Sequence, residues 1–329
     1  MTEIKAYRLD RQGGAQEIAV PGGVSDLPEG GLIWVHLSGK PEEVDGWVRG
    51  SGLDPLAVAA LTAEETRPRC TVHGASILMN LRGVNLSPGA EPEDMVSLRL
   101  YLSERLVVSL QRRKLYAVSD VIDESLGGTA AQNPGELVAR IALRLADRAE
   151  PVVTALNERI DDLEDKVIDE MGAPQRGDLA DVRRVAIVLR RYMFPQRDAL
   201  TTLEIEEAAW LKSCGESGQA MEFMRLREAS ERVTRLAEEL DAIRDRAQVV
   251  HDQIMDVRAE QMNRQMLVLS VVAALFLPLG LITGLLGINV GGIPGEGVGW
   301  AFWAVCGLLV ICVVFQMWLF RRMGLFGGR

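Results

Sequence analysis

"LITGLLGINVGGIPGEGVGW", residues 281–300, lies between two long apolar runs and holds seven glycines and a lone asparagine, Asn289. The runs on either side, Met266–Ile288 and Ala301–Phe320, carry no charged residue. Each is long enough to cross a hydrocarbon core of roughly 30 Å at about 1.5 Å per helical residue. The stretch therefore reads as the loop between two transmembrane helices, residues 263–288 and 300–320, with residues 289–299 outside the bilayer.

Charge sets the expected orientation. Arg258 and Arg264 precede the first span, and Arg321, Arg322 and Arg329 follow the second, whereas the loop has only Glu296. An excess of Lys and Arg marks the cytoplasmic side. Both termini, including the basic tail 321–329, are expected in the cytoplasm, and "MTEIKAYRLD" shows no secretory signal. From residue 263 onward four Arg and one Glu give a net +3, so the −10 of the whole chain places −13 on residues 1–262. That balance disfavours nucleic acid and suits cations. Cys70, Cys214, Cys306 and Cys312 form no CxxC pair, and with three scattered histidines no zinc-site spacing arises.

The expected fold is an α+β membrane protein. Residues 1–130 mix strand-like runs ("GLIWVHL", "ASILMNLRGV", "MVSLRLYLSERLVVSL") with helical patches ("PEEVDGWVRGSG", "DPLAVAALTAEE"), an α/β pattern with a tight turn at Ser103-Glu104-Arg105. Residues 131–262 read as a helical, coiled-coil-like stalk or funnel, with helices at about 134–171, 176–213 and 219–288. Asp178 is the expected N-cap of the second of these, and Pro195 is expected to kink it. The third would join stalk and first span in one helix on the order of 100 Å long.

Two registers run along that third helix. Leu236, Leu240, Ile243, Ala247, Val250, Ile254 and Val257 form an apolar seam for neighbouring helices. About 200° around the helix, Glu238, Ala242, Asp245, Val249, Asp252, Asp256 and Ala259 form a largely acidic one. Continued into the membrane, this second register passes Asn263, Met266, Ser270, Ala273, Leu277, Gly280, Gly284 and Gly287, polar or small except at Met266 and Leu277. A lipid-facing stripe would be Leu, Ile or Val throughout, so this one faces protein or water. One chain with two spans cannot enclose a wet path, which implies a symmetric ring of copies.

Gly287-Ile288-Asn289 at the outer end of the first span, the short loop, the second span and the basic tail resemble the two-transmembrane cation transporters of the CorA family, whose signature here is Gly-Met-Asn. "EETRPR" (64–69) and "RRYMFPQRDAL" (190–200) support the likeness, which covers the whole chain. Ile288 in place of Met, followed by "NVGGIPG", is similar to the zinc-transporting ZntB branch. The resemblance implies a homopentamer in the bacterial inner membrane, with a ring of five Asn289 side chains at the pore mouth. It also implies proton-coupled zinc uptake, with export, or a magnesium and cobalt channel, as alternatives. The divalent cation is then cargo, and no resident cofactor is implied.

Physical reasoning gives the residues matching roles. Asn289 offers carbonyl oxygens without charge, able to hold a cation's water shell weakly enough for release. Gly284 and Gly287 allow close approach of spans. Asn263 and Met266 suit an inner constriction, with Leu277 a further apolar narrowing. Asp245, Asp252, Asp256 and Glu238 would concentrate cations in a funnel, and Glu296 in the outer loop would add to the attraction. His251 beside Asp252 is the candidate for metal or proton linkage. Cys306 and Cys312 read as small apolar residues of a lipid-facing span, Trp300, Trp303 and Trp318 as interfacial anchors, and His36 and His73 as core or surface residues. Two other function classes compete. A membrane-anchored coiled-coil scaffold would not need the small and polar stripe, and an enzyme would need a nucleophile, phosphate loop or metal cluster that the chain does not display.

Overall fold

A computed structural model describes residues 2–10, 12–64, 66–168, 176–214, 219–288, 293, 295 and 297–323, without the side chains of 168, 176, 206–214 and 219–223. The chain divides into two compact units, Met1–His251 and Asp252–Arg329.

The first unit is built on a seven-stranded sheet: β1 (Glu3–Leu9), β2 (Ala15–Ile18), β3 (Leu32–Ser38), β4 (Arg69–His73), β5 (Ser76–Gly83), β6 (Val96–Leu102) and β7 (Leu106–Gln111). The spatial order is β2-β1-β3-β7-β6-β5-β4, antiparallel except for the central parallel pair β3–β7. Both central strands are almost wholly apolar and buried on both faces, as a doubly covered sheet requires. β6 and β7 form the expected hairpin about Ser103-Glu104-Arg105, with Ser103 N donating to Leu106 O at 2.8 Å.

On one face, Ile33, Val35 and Leu37 of β3 and Leu106, Val108 and Leu110 of β7 pack with Val44 and Val48 of helix α1 (Pro41–Gly50) and Ala57 and Leu61 of α2 (Pro55–Thr62). Proline opens both helices, where its missing N–H costs nothing, and Asp54 caps α2 by accepting from Leu56 N at 2.8 Å. Against β5, on the opposite face, lies α4 (Pro134–Ile168), preceded by α3 (Tyr116–Glu124). Gly83 permits that approach: a Cβ there would stand 2.5 Å from Leu145 Cδ2 and 2.8 Å from Leu115 Cδ2.

Helices α5 (Arg176–Cys214) and α6 (Gln219–Leu286) complete the layout, with α7 (Ala301–Arg322) in the second unit. Their bounds lie within two or three residues of those expected. One expectation is corrected. Asp178 is not the N-cap of α5, because the helix already begins at Arg176 and Asp178 falls in its first turn, where its charge favours the positive end of the dipole. The β1–β2 hairpin and α3 went unread, since neither carries an apolar run long enough to stand out. Pro195 lies inside α5, which continues past it to Cys214.

Ion pairs bind α6 to its neighbours. Arg225 meets Glu136, Arg232 meets Asp147, and Arg246 meets both Asp161 and Glu164, all on α4; Arg190 of α5 meets Asp241.

Candidate functional site along the first span

The seam and the acidic register separate as expected. Leu236, Leu240, Ile243, Ala247, Val250 and Ile254 are buried, with Val257, at the end of the seam, exposed. Glu238, Ala242, Asp245, Val249, Asp252, Asp256 and Ala259 are all exposed. Asp245 is partly neutralised, since Arg244 Nη2 lies 2.7 Å from its Oδ1. His251 and Asp252 are both exposed. As consecutive helical residues they point about 100° apart and do not face each other.

In the membrane portion, Asn263, Met266, Ser270, Ala273, Leu277, Gly280, Gly284, Gly287 and Ile288 are exposed as well. A Cβ added at Gly280 or Gly284 would meet nothing within 4 Å. The half-buried positions of the first span, Val271, Leu275, Pro278, Leu279 and Ile282, centre roughly 150° away. Along α7 the half-buried Val305, Leu309, Cys312 and Gln316 recur at four, three and four residues. Gln316 Nε2 donates to Ala274 O at 3.4 Å, which marks where the two spans meet. The small and polar face of the first span is therefore turned away from its own partner helix. Cys312 stands on the seam of the second span, and Trp300, Trp303 and Trp318 are exposed.

The last turn of α6 closes with Gly287 N donating to Thr283 O at 2.9 Å, so the helix stops where the glycine was expected to stop it. Asn289 and Glu296 lie outside the described residues, as does the tail beyond Met323.

His36 is buried, and its Nδ1 lies 2.8 Å from Ser109 Oγ, which accepts from Trp34 Nε1 at 2.8 Å. The hydroxyl that accepts from Trp34 can donate or accept toward Nδ1 according to the imidazole tautomer, and burial holds His36 down to about 4, so the ring is neutral. His73 lies at the surface, 3.2 Å from Asp54. Among the described residues no group of three or more His, Cys, Asp or Glu side chains is disposed to hold a metal.

The residue that the sequence reading missed is Arg82 on β5. Its guanidinium donates to Thr66 O, within "EETRPR", and to Met95 O. It also lies 4.4 Å over the ring of Tyr192, within "RRYMFPQRDAL", while its backbone N donates to Gln196 Oε1 at 2.6 Å. The two supporting motifs are one structural joint, stitched together by an arginine between them.

Fold and first span together define a membrane protein with a folded sheet-and-helix unit and two C-terminal spans. Residues 29–322 match the family model described as CorA-like Mg2+ transporter protein. The chain is 39% identical over 328 residues to the divalent cation transporter CmaX of Pseudomonas aeruginosa, covering 97% of this chain and 96% of that protein. It is 34% identical over 320 residues to the zinc transport protein ZntB of Yersinia enterocolitica, covering 97% and 94%. Its structure resembles that of full-length CmaX with a TM-score of 0.79 at 36% identity, over 97% of this chain and 96% of the other. The chain belongs to the CorA-like family: it is a membrane transporter of divalent cations, not an enzyme.

Proposed function

We propose that this transporter carries zinc into the bacterial cytoplasm through a ring of five copies, coupled to protons. The observation that carries the reading is the exposed small and polar face of the first span, set away from the second span. In a bilayer such a face needs other copies or water beside it. Ile288 and the likeness to ZntB support zinc over magnesium. The five-fold ring rests on the CorA family resemblance.

In this reading both termini lie in the cytoplasm of an inner-membrane protein. Cations gather at Asn289 and Glu296 and pass Gly284, Gly280 and Ala273. They cross apolar narrowings at Leu277 and Met266, with Asn263 and Ser270 offering polar atoms on the way. They then enter a funnel lined by Asp256, Asp252, Asp245 and Glu238. Moving two charges down about 100 mV releases roughly 4.6 kcal/mol, enough to drive uptake. His251 supplies the proton-linked group, with Asp252 as a neighbouring charge that does not face it. The cation is cargo throughout, and the protein carries no resident cofactor.

The test is uptake of Zn2+ and Mg2+ into liposomes holding the purified protein, with and without an inward proton gradient. Zinc flux that rises with the gradient is expected, and Asn289→Ala should abolish it. Magnesium flux indifferent to the gradient would replace the zinc reading, and transport undisturbed in Asn289→Ala would remove the pore mouth from this place.

A further inference from the structure

The sheet face that carries the α1–α2 core changes character toward one end. Leu78 and Tyr101 are packed there in the apolar cluster, Asn80 and Arg99 stand level with Leu110 one pleat further along the same face, and Arg82 and Ser97 one pleat beyond that. Arg112, just past β7, continues the row. With Arg113 and the α5 residues Val188 and Tyr192, these arginines line a cavity of about 420 Å³.

Buried arginines are ordinarily compensated by carboxylates. Here compensation is incomplete. Arg99 is only 3% exposed, and among the described residues its guanidinium donates to main-chain carbonyls, Ala63 O at 2.7 Å and Glu64 O at 3.3 Å. Its Nη1 is buried with no acceptor among the described residues, as is Nη1 of Arg112, whose Nη2 lies 2.8 Å from the Asp45 carboxylate. Arg82 is likewise bound to carbonyls, and Arg113 has no ion pair among the described residues. Burial, with Arg112 and Arg82 close by, pulls the Arg99 guanidinium down to about 10, against an opposing pull from Asp45. Three carboxylates also line the cavity. Glu93 is committed to Arg184 at 2.9 Å, while Glu64 and Asp94 are exposed.

Four arginines in one cavity, two of their buried guanidinium nitrogens without an acceptor among the described residues, present more donors than their neighbours accept. We propose that this cavity binds a phosphate-type oxyanion, either free phosphate or the phosphoryl group of a small metabolite. The forked donors of arginine match tetrahedral oxyanions better than a spherical halide. The volume admits more than a bare ion. Arg82 ties the "EETRPR" loop to α5, so the occupant would brace the joint on which both motif stretches meet. The site is independent of which cation the transporter carries.

The experiment is titration calorimetry on the detergent-solubilised full chain with sodium phosphate, against sodium chloride at matched ionic strength, and in parallel with adenosine monophosphate. Saturable binding of phosphate without a chloride counterpart is expected, accompanied by a rise in melting temperature. Arg113→Gln, at an exposed position, should weaken it roughly tenfold, and Arg99→Met should abolish it. Equal affinity for phosphate and the nucleotide supports the site with free phosphate as its ligand, and tighter nucleotide binding supports it with a phosphorylated metabolite. No heat beyond the chloride control in the unaltered protein would overturn the proposal. So would phosphate binding that both variants leave unchanged, because the anion would then sit elsewhere.

Discussion

His36 shows how a titratable side chain can serve the core. Its imidazole is buried on β3 and hydrogen-bonded to Ser109 of β7, with Glu3 favouring its charge and Lys5 opposing it. A neutral, buried base with a folded value of about 4 against an ordinary 6.5 takes up a proton on unfolding as pH falls between those values. Stability is therefore retained above pH 6.5 and lost progressively toward pH 4, by about 3 kcal/mol at most. His36→Gln, which keeps an acceptor for Ser109 and cannot charge, should flatten the fall in melting temperature over that range. An unchanged slope would place the acid sensitivity on other groups. The histidine itself was legible in "WVHL", but its role was not, because Ser109 lies 73 residues away in sequence.

At the scale of elements, α6 serves two environments with one periodicity. Its upper part is held to α4 by Arg246, whose charge is stabilised by the hydrogen bonds it donates to Glu164 and Asp161. Arg246→Ala should lower the stability of this unit by about 1 kcal/mol, since the group is a third exposed and solvent screens it. The corresponding shift in melting temperature is about 2–4 °C. Its lower part presents Gly280 and Gly284 to open space in the single chain. Gly284→Leu should leave insertion and folding intact while eliminating transport or the assembly, measured by flux and by the mass of the solubilised complex. Flux and mass both unaltered would mean that this face meets lipid. The seam, the acidic register and the bounds of α6 were all readable from spacing alone, because a helix repeats its faces every three or four residues.

For the whole molecule the telling quantity is the distribution of charge. The excess of −13 on residues 1–262 would count five times over in a ring, and the exposed aspartates of α6 are where it would act on a passing cation. Replacing Asp245, Asp252 and Asp256 together by Asn should reduce divalent flux several-fold at low ionic strength and much less at high, where the Debye length is about 3 Å at 1 M. A salt-independent loss would point to a structural defect. Arg244 already faces Asp245, which lowers that residue's share of the effect.

The sequence by itself determined the two spans, the helix bounds, the pairing of β6 with β7 and the family, because each of these is written in local runs or periodic spacing. Tertiary structure alone decided which strands flank which and that the small-residue face turns away from the second span. It alone showed that His36 is sealed by Ser109 and that Arg82 joins two motif stretches far apart in the chain. These depend on contacts between residues distant in sequence, and a single chain carries no local pattern that records which distant partner will satisfy a buried polar group.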